Sequence, residues 1–211
     1  MIFGLVILHI WSLHIPGNNN PIGIDVKKDS NETMPFHPYM VMKDLFALLA
    51  FLLLFFAFVF FLPDFLGHPD NYIPADPLIT PAHIVPEWYL LPFYAILRAV
   101  PDKLAGVLLM FGSIAVLFFL PWLDTAKTKS ARYRPWYKFF FILFFIDCLM
   151  LGYLGGVVPE GIYLLLSRVC TIYYFAFFLI IMPVLSRYEV PKPIPIGISN
   201  PNLTNDMVAT D

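Results

Sequence analysis

Four stretches of this chain stay free of charge, or nearly so, over the length a lipid bilayer demands. That restricts the fold more than any other feature of the sequence. A helix crossing a hydrocarbon core of about 30 Å needs roughly 20 apolar residues. Residues 45–63 form one such run, between Asp44 and Asp64, and residues 104–123 form another, between Lys103 and Asp124. Residues 139–158 are a third, broken only by Asp147. Residues 169–186 are a fourth, between Arg168 and Arg187, with the helix expected to start a turn earlier, near 165. Backbone polar groups in lipid must be satisfied within the segment, so runs of this length read as helices. The expected fold is all-α and integral to the membrane. Composition agrees, because only 13% of the 211 residues are charged against 59% hydrophobic, too little polar surface for a water-soluble body of this size.

Residues 1–14 are apolar too, but would cover only about 20 Å as a helix. They read either as an interfacial segment or as the end of a helix that begins earlier. The N-terminus has no basic region followed by a small-residue cleavage site, so no signal peptide is expected. The basic residues orient the spans. Lys27, Lys28 and Lys43 precede the first run; Lys127, Lys129, Arg132, Arg134 and Lys138 lie between the second and third; Arg187 and Lys192 follow the last. If the four spans alternate, all of these fall on one face, the cytoplasmic one, and only Arg98, Lys103 and Arg168 lie towards the other. Residues 15–39 then form a polar loop on the basic side, and 187–211 a proline-rich, loosely ordered tail. Residues 64–103 make a long outer loop with seven prolines, and its second half, 84–101, is too apolar for an ordinary loop. Partial immersion in protein or interface is expected there. Cys148 and Cys170 form no CxxC pair and read as buried free thiols. A net charge of −2 gives no reason to expect a nucleic-acid partner.

A few polar residues stand out against this background. His9 lies within an apolar helical stretch, where an ionisable group is costly. It reads either as an iron ligand or as a histidine hydrogen-bonded to a neighbouring helix. His14 is about 140° further round the same helix, so the two do not form a two-ligand site, and it can simply mark the helix's polar end. Lys43 and Asp44 open the first full span. Lysine there snorkels and aspartate complements the helix dipole, unless the two deliver protons to a bound polar ligand. Glu87 sits in Pro86-Glu87-Trp88-Tyr89. Aromatic neighbours that desolvate a carboxyl suit it to proton exchange near neutrality; the alternative is an interfacial acid beside an aromatic belt. Asp147 is expected to hydrogen-bond a neighbouring helix. His37, His68 and His83 lie near prolines without a metal-site spacing.

Together, HIWSLHIPGNNNP, PFHPYMVMKDLFAL, FLGHPDNYIPADPLITPAHIVPEWYLLPFYAILRAVPDKLAG and FLPWLDTAKTKSARYRP, in that order between those spans, resemble the C-terminal half of cytochrome b from respiratory cytochrome bc complexes. The wording is most like the proteobacterial branch. The resemblance covers the chain from His9 to about Arg187. It implies eight transmembrane helices in all, of which this chain holds the end of the fourth (1–14) and the fifth to eighth (within 15–186). It also implies two b haems and two quinone pockets. His9 corresponds to an axial ligand of the inner haem. His14, with Asn18, Lys43 and Asp44, corresponds to a quinone-reduction site, where many eukaryotic members have Ser in place of Asn18. Glu87 and Tyr94 correspond to quinol-oxidation residues, with Trp88 and Tyr89 shaping that pocket. The family draws its four haem ligands from its second and fourth helices, and this chain offers only one of the four.

The resemblance further implies ubiquinol as substrate, a Rieske iron–sulfur protein and a cytochrome c-type subunit as partners, contact with membrane lipid, and a dimer within the complex. Residence in a bacterial inner membrane is expected, with the mitochondrial inner membrane as the second choice. Glu87 would accept a proton as quinol is oxidised on the outer side. His14 and Asp44 would hold a quinone on the inner side while Lys43 helps supply protons. Two further readings compete: a truncated or split-gene fragment, inactive without an N-terminal haem-binding half, and a transporter. A transporter predicts interrupted helices in matched halves, and only Asp147 lies near the middle of a span.

Overall fold

The computed structural model describes residues 1–197 except 18, 19, 21, 25, 27–31, 81–83 and 129. The described residues form helices joined by turns, and four helices are long and apolar enough to cross a membrane. The chain divides into two compact units. One comprises Met1–Met34, Ala126–Lys138 and Glu189–Asp211; the other comprises Pro35–Thr125 and Phe139–Tyr188.

In the first unit, α1 (Ile2–His14) has no buried residue. Past it, the Asn20 side chain builds a turn, accepting from the backbone N–H groups of Ile22 and Gly23 and donating to the Ile24 carbonyl at 2.7 Å. Gly23 has φ +75° and lies against Ser130, so a side chain there would meet both strain and a clash. The short turn Ala131–Tyr133 leads to a buried ion pair, Arg134 Nε to Glu189 Oε2 at 3.6 Å. Glu189 also accepts from the N–H groups of Trp136 and Tyr137, where no helical partner exists. The Lys192 N–H donates to the Tyr133 carbonyl at 2.7 Å. The start of the segment expected to be loosely ordered is therefore pinned, because a carboxylate at a helix N-terminus satisfies orphan donors.

In the second unit, α2 (Val41–Phe61) is entered through a wider turn at Phe36–Met40 and has no buried residue. The short α3 (Leu91–Arg98) lies in the segment between spans. Next come α4 (Lys103–Leu123), α5 (Pro135–Gly156) and α6 (Gly161–Tyr188). These helices start ahead of the apolar runs because helical hydrogen bonding continues through the polar residues that flank them. Two prolines mark irregular turns: α4 tightens at Val116–Phe119 just before Pro121, and α6 widens at Phe177–Ile181 just before Pro183. Each proline removes an N–H and crowds the carbonyl four residues back. Phe144 of α5 stacks on Phe177 of α6, centroids 4.4 Å apart, and the Tyr174 hydroxyl of α6 donates to the Ser113 carbonyl of α4 at 2.9 Å.

The apolar 84–101 segment is immersed in protein through α3, whose Ala95 and Ile96 are buried together with Ala99. Two glycines make this possible. A Cβ on Gly106 of α4 would sit 2.3 Å from the Leu97 carbonyl oxygen, and one on Gly155 of α5 would sit 2.1 Å from that of Leu91. Backbone meets backbone at both points, the small-residue packing that membrane helices use in place of a hydrophobic drive.

Candidate functional site

Helix α3 carries one of the sequence-predicted residues, Tyr94, and arginines lock it in place. Arg98 Nη2 donates to the carbonyls of Leu154, Gly155 and Val157 at 3.0, 2.7 and 3.0 Å, closing the C-terminal end of α5. Those carbonyls carry the negative end of the helix dipole, so a guanidinium suits them. The Arg98 guanidinium also lies 4.2 Å over the Tyr94 ring. Burial pushes Arg98's pKa below the ordinary arginine value, with Tyr94 opposing. Arg168 of α6 caps α3 in the same way, donating from Nε to the Ala99 carbonyl at 2.9 Å.

Tyr94 reaches out of α3 in the other direction, its hydroxyl donating to the Ile84 carbonyl at 2.9 Å. That bond holds the strand leading to Glu87. Glu87 precedes the single turn Trp88–Leu90 and is exposed, as are Trp88 and Tyr89, whose rings meet edge-on with centroids 5.7 Å apart. Desolvation by these aromatics, expected from the sequence, is therefore not supplied within the described residues.

Glu87 instead lines two small clefts, each shared with His68. One, about 190 Å³, is lined by His68, Pro86, Glu87, Trp88, Leu91 and Gly156; the other, about 220 Å³, by His68, Asp70, Asn71, Ile84, Val85 and Glu87. The first shares Leu66 and Trp88 with an apolar groove of about 760 Å³ that runs down α2 past Phe51, Phe55 and Phe58. A cleft that brings Glu87 and His68 together thus adjoins an apolar trough, with Trp88 at the join. Across the cleft, His68 Nδ1 accepts from the Asp70 N–H at 3.3 Å and lies 3.5 Å from the Asp70 carboxylate. The sequence treated His68 as a turn residue. Nineteen positions separate it from Glu87, and no local pattern links the two.

The remaining sequence-predicted residues are divided between the two units or lie outside the described residues. His9 and His14 are exposed on α1 in the first unit; Lys43 and Asp44 are exposed in the first turn of α2 in the second; Asn18 and His83 lie outside the described residues. No cluster of three or more His, Cys, Asp or Glu able to hold a metal occurs among the described residues. A neutral imidazole such as that of His9, exposed on α1, is chemically able to ligate a haem iron. Asp147, in α5, meets Cys170 of α6 through a hydrogen bond, and among the described residues its buried Oδ2 has no partner.

Against this geometry the comparisons are direct. Residues 74–175, which contain Glu87, α3 and both arginine caps, match the family model described as cytochrome b (C-terminal)/b6/petD. Cytochrome b of Rhodospirillum rubrum is 57% identical over 204 residues, covering 97% of this chain. The chain belongs to the cytochrome b family. Cytochrome b of Rickettsia bellii is 58% identical over 195 residues, 92% of this chain. A solved structure, a hyperthermophilic respiratory complex III, superposes with a TM-score of 0.82 at 39% identity, covering 89% of this chain and 48% of that one. The chain spans about half the length of the curated relatives it matches, 50% and 48% for these two. It is a C-terminal portion of cytochrome b, all-helical and multi-pass, of the bacterial inner membrane type.

Proposed function

We propose that this chain forms part of the quinol-oxidation and quinone-reduction sites of a quinol–cytochrome c oxidoreductase. One observation carries the first site: the clefts that Glu87 and His68 line together adjoin the apolar groove of α2 through Trp88 and Leu66. A ubiquinol has the matching division, a polar ring carrying two hydroxyls and a long apolar tail. The tail lies in the groove along Phe51–Phe58, and the ring reaches the cleft edged by Trp88 and Tyr89. Oxidation of a quinol releases two electrons and two protons. Glu87 takes one proton from a ring hydroxyl and, being exposed, passes it to water on the outer side, and the proton of the second hydroxyl leaves to water through the same open cleft. Tyr94 acts as a positioning residue, holding the backbone ahead of Glu87 through Ile84. One electron would leave to a Rieske iron–sulfur protein, whose partner would be a cytochrome c-type subunit, and the other would be accepted on the haem b side.

For the second site, His14, Asn18, Lys43 and Asp44 bind a quinone, with His14 and Asp44 hydrogen-bonding its oxygens and Lys43 supplying protons. His9 would hold a haem b through one imidazole nitrogen, and that group would supply electron transfer between the two sites. The other ligands come from the N-terminal half of cytochrome b, within the same polypeptide or as a separate chain. The assembly is a dimer.

The test is Glu87→Gln in the complete protein assembled with its partners. Losing a general base of this kind slows quinol oxidation about 100-fold and flattens its rise with pH. An unchanged rate across the working pH range would remove Glu87 from the proposed role.

A further inference from the structure

A second large groove lies away from the Glu87 clefts and takes no part in the function proposed above. Its volume is about 630 Å³, and it runs between the end of α3, α4 and α6. Val100 and Leu109 form one wall, and Phe175, Ala176 and Ile180 form the other. Arg168 stands at one end and is exposed. Its Nε is spent on the Ala99 carbonyl, and among the described residues no carboxylate pairs with the guanidinium. A cation on the rim of an apolar groove within a membrane span asks for an anion with an apolar tail.

Depth and length agree with that demand. Arg168 stands seven residues into α6, about 10 Å from its start at 1.5 Å per residue. The helix has 28 residues, about 42 Å at the same rise, against a hydrocarbon core of about 30 Å. The arginine therefore falls near the boundary between head groups and hydrocarbon. From Arg168 to Ile180 the groove follows twelve residues, about 18 Å, a little more than one leaflet's half of the core. The widened turn at Phe177–Ile181 forms its inner end.

We propose that this groove is a binding site for one anionic phospholipid. Its phosphate pairs with the outward nitrogens of Arg168, and one acyl chain lies along Phe175 and Ala176. The lipid neutralises the arginine that caps α3 and covers the seam between α4 and α6.

The experiment uses the complete protein with its native subunits, extracted in mild detergent. Retained phospholipids are counted by native mass spectrometry, and exchange is measured in nanodiscs holding equal amounts of phosphatidylglycerol and phosphatidylcholine. The wild type keeps one phosphatidylglycerol per chain. Arg168→Gln loses its preference for that lipid by about fivefold, the weight of one basic group at a membrane surface. Arg168→Lys keeps the charge and most of the preference. Ala176→Phe fills the groove and expels the lipid with Arg168 and its cap untouched, which separates lipid loss from misfolding. Equal retention in Arg168→Gln and Ala176→Phe overturns the site. So does equal competition by phosphatidylcholine in the wild type, or a photo-crosslinker at Ile172 that captures another subunit's helix in place of lipid.

Discussion

Arg98 is the residue on which the most backbone depends. One of its nitrogens meets three carbonyls that would otherwise face a low-dielectric interior unpaired. Hydrogen bonds to a charged group contribute about 1.5–3 kcal/mol each, though not additively. Arg98→Ala should therefore destabilise the protein by about 3 kcal/mol or more, read as a lower denaturation midpoint in detergent. Arg98→Lys should recover only part, because one ammonium cannot also lie flat over Tyr94. Tyr94→Phe removes a single neutral bond to Ile84, about 1 kcal/mol. Its expected signature is faster amide exchange in residues 84–90 with global stability little changed. The sequence proposes Glu87 from its proline and aromatic neighbours and Tyr94 through a family resemblance, whereas it gives no reason to link His68 with either. Its partnership with Glu87 depends on a chain reversal between Leu66 and Leu91, and turn geometry of that kind leaves no periodic trace.

Among the elements, α3 is the one whose packing a substitution can test most cleanly. A Cβ at Gly155 collides with Leu91 backbone and one at Gly106 with Leu97 backbone, and neither carbonyl can swing aside as a side-chain tip can. Gly155→Ala and Gly106→Ala should each cost about 1–3 kcal/mol or more. Gly112→Ala is the control, since its nearest neighbour is the Phe175 ring at 3.8 Å, an ordinary contact. That change should be neutral or stabilising by up to about 1 kcal/mol, the difference in helix propensity between the two residues. The buried pair Arg134–Glu189 gives the first unit a similar test: Glu189→Gln removes the carboxylate that faces Arg134 and the N–H groups of Trp136 and Tyr137, and should lower the denaturation midpoint. The four long helices could be read from charge-free length alone. The helix inside the 84–101 segment could not, because Glu87, Pro92 and Arg98 disguise it. What reveals it is the pair of glycines on other helices, far along the chain.

For the whole molecule, the sequence supports an orientation that the helices permit. An alkaline phosphatase fused after Lys127 should be inactive, and one fused after Pro77 active, in a bacterial inner membrane. The opposite pattern would invert the side on which quinol oxidation is proposed. Expressed on its own, the chain should give no absorbance of a low-spin, bis-histidine haem b, since the function proposed above gives it one imidazole, His9, and takes the other ligands from the N-terminal half of cytochrome b. Addition of an N-terminal partner bearing the other ligands should restore it. The triple bond from Arg98 also orders events during synthesis. Residues 84–98 leave the ribosome well before their carbonyl partners at 154–157. At about 5–20 residues per second that interval lasts several seconds. During it the segment bearing Glu87 has no α5 to close upon. The acid is translated early and its position is fixed late, so a nascent chain stalled between these points would expose that segment to proteases and to the insertion machinery.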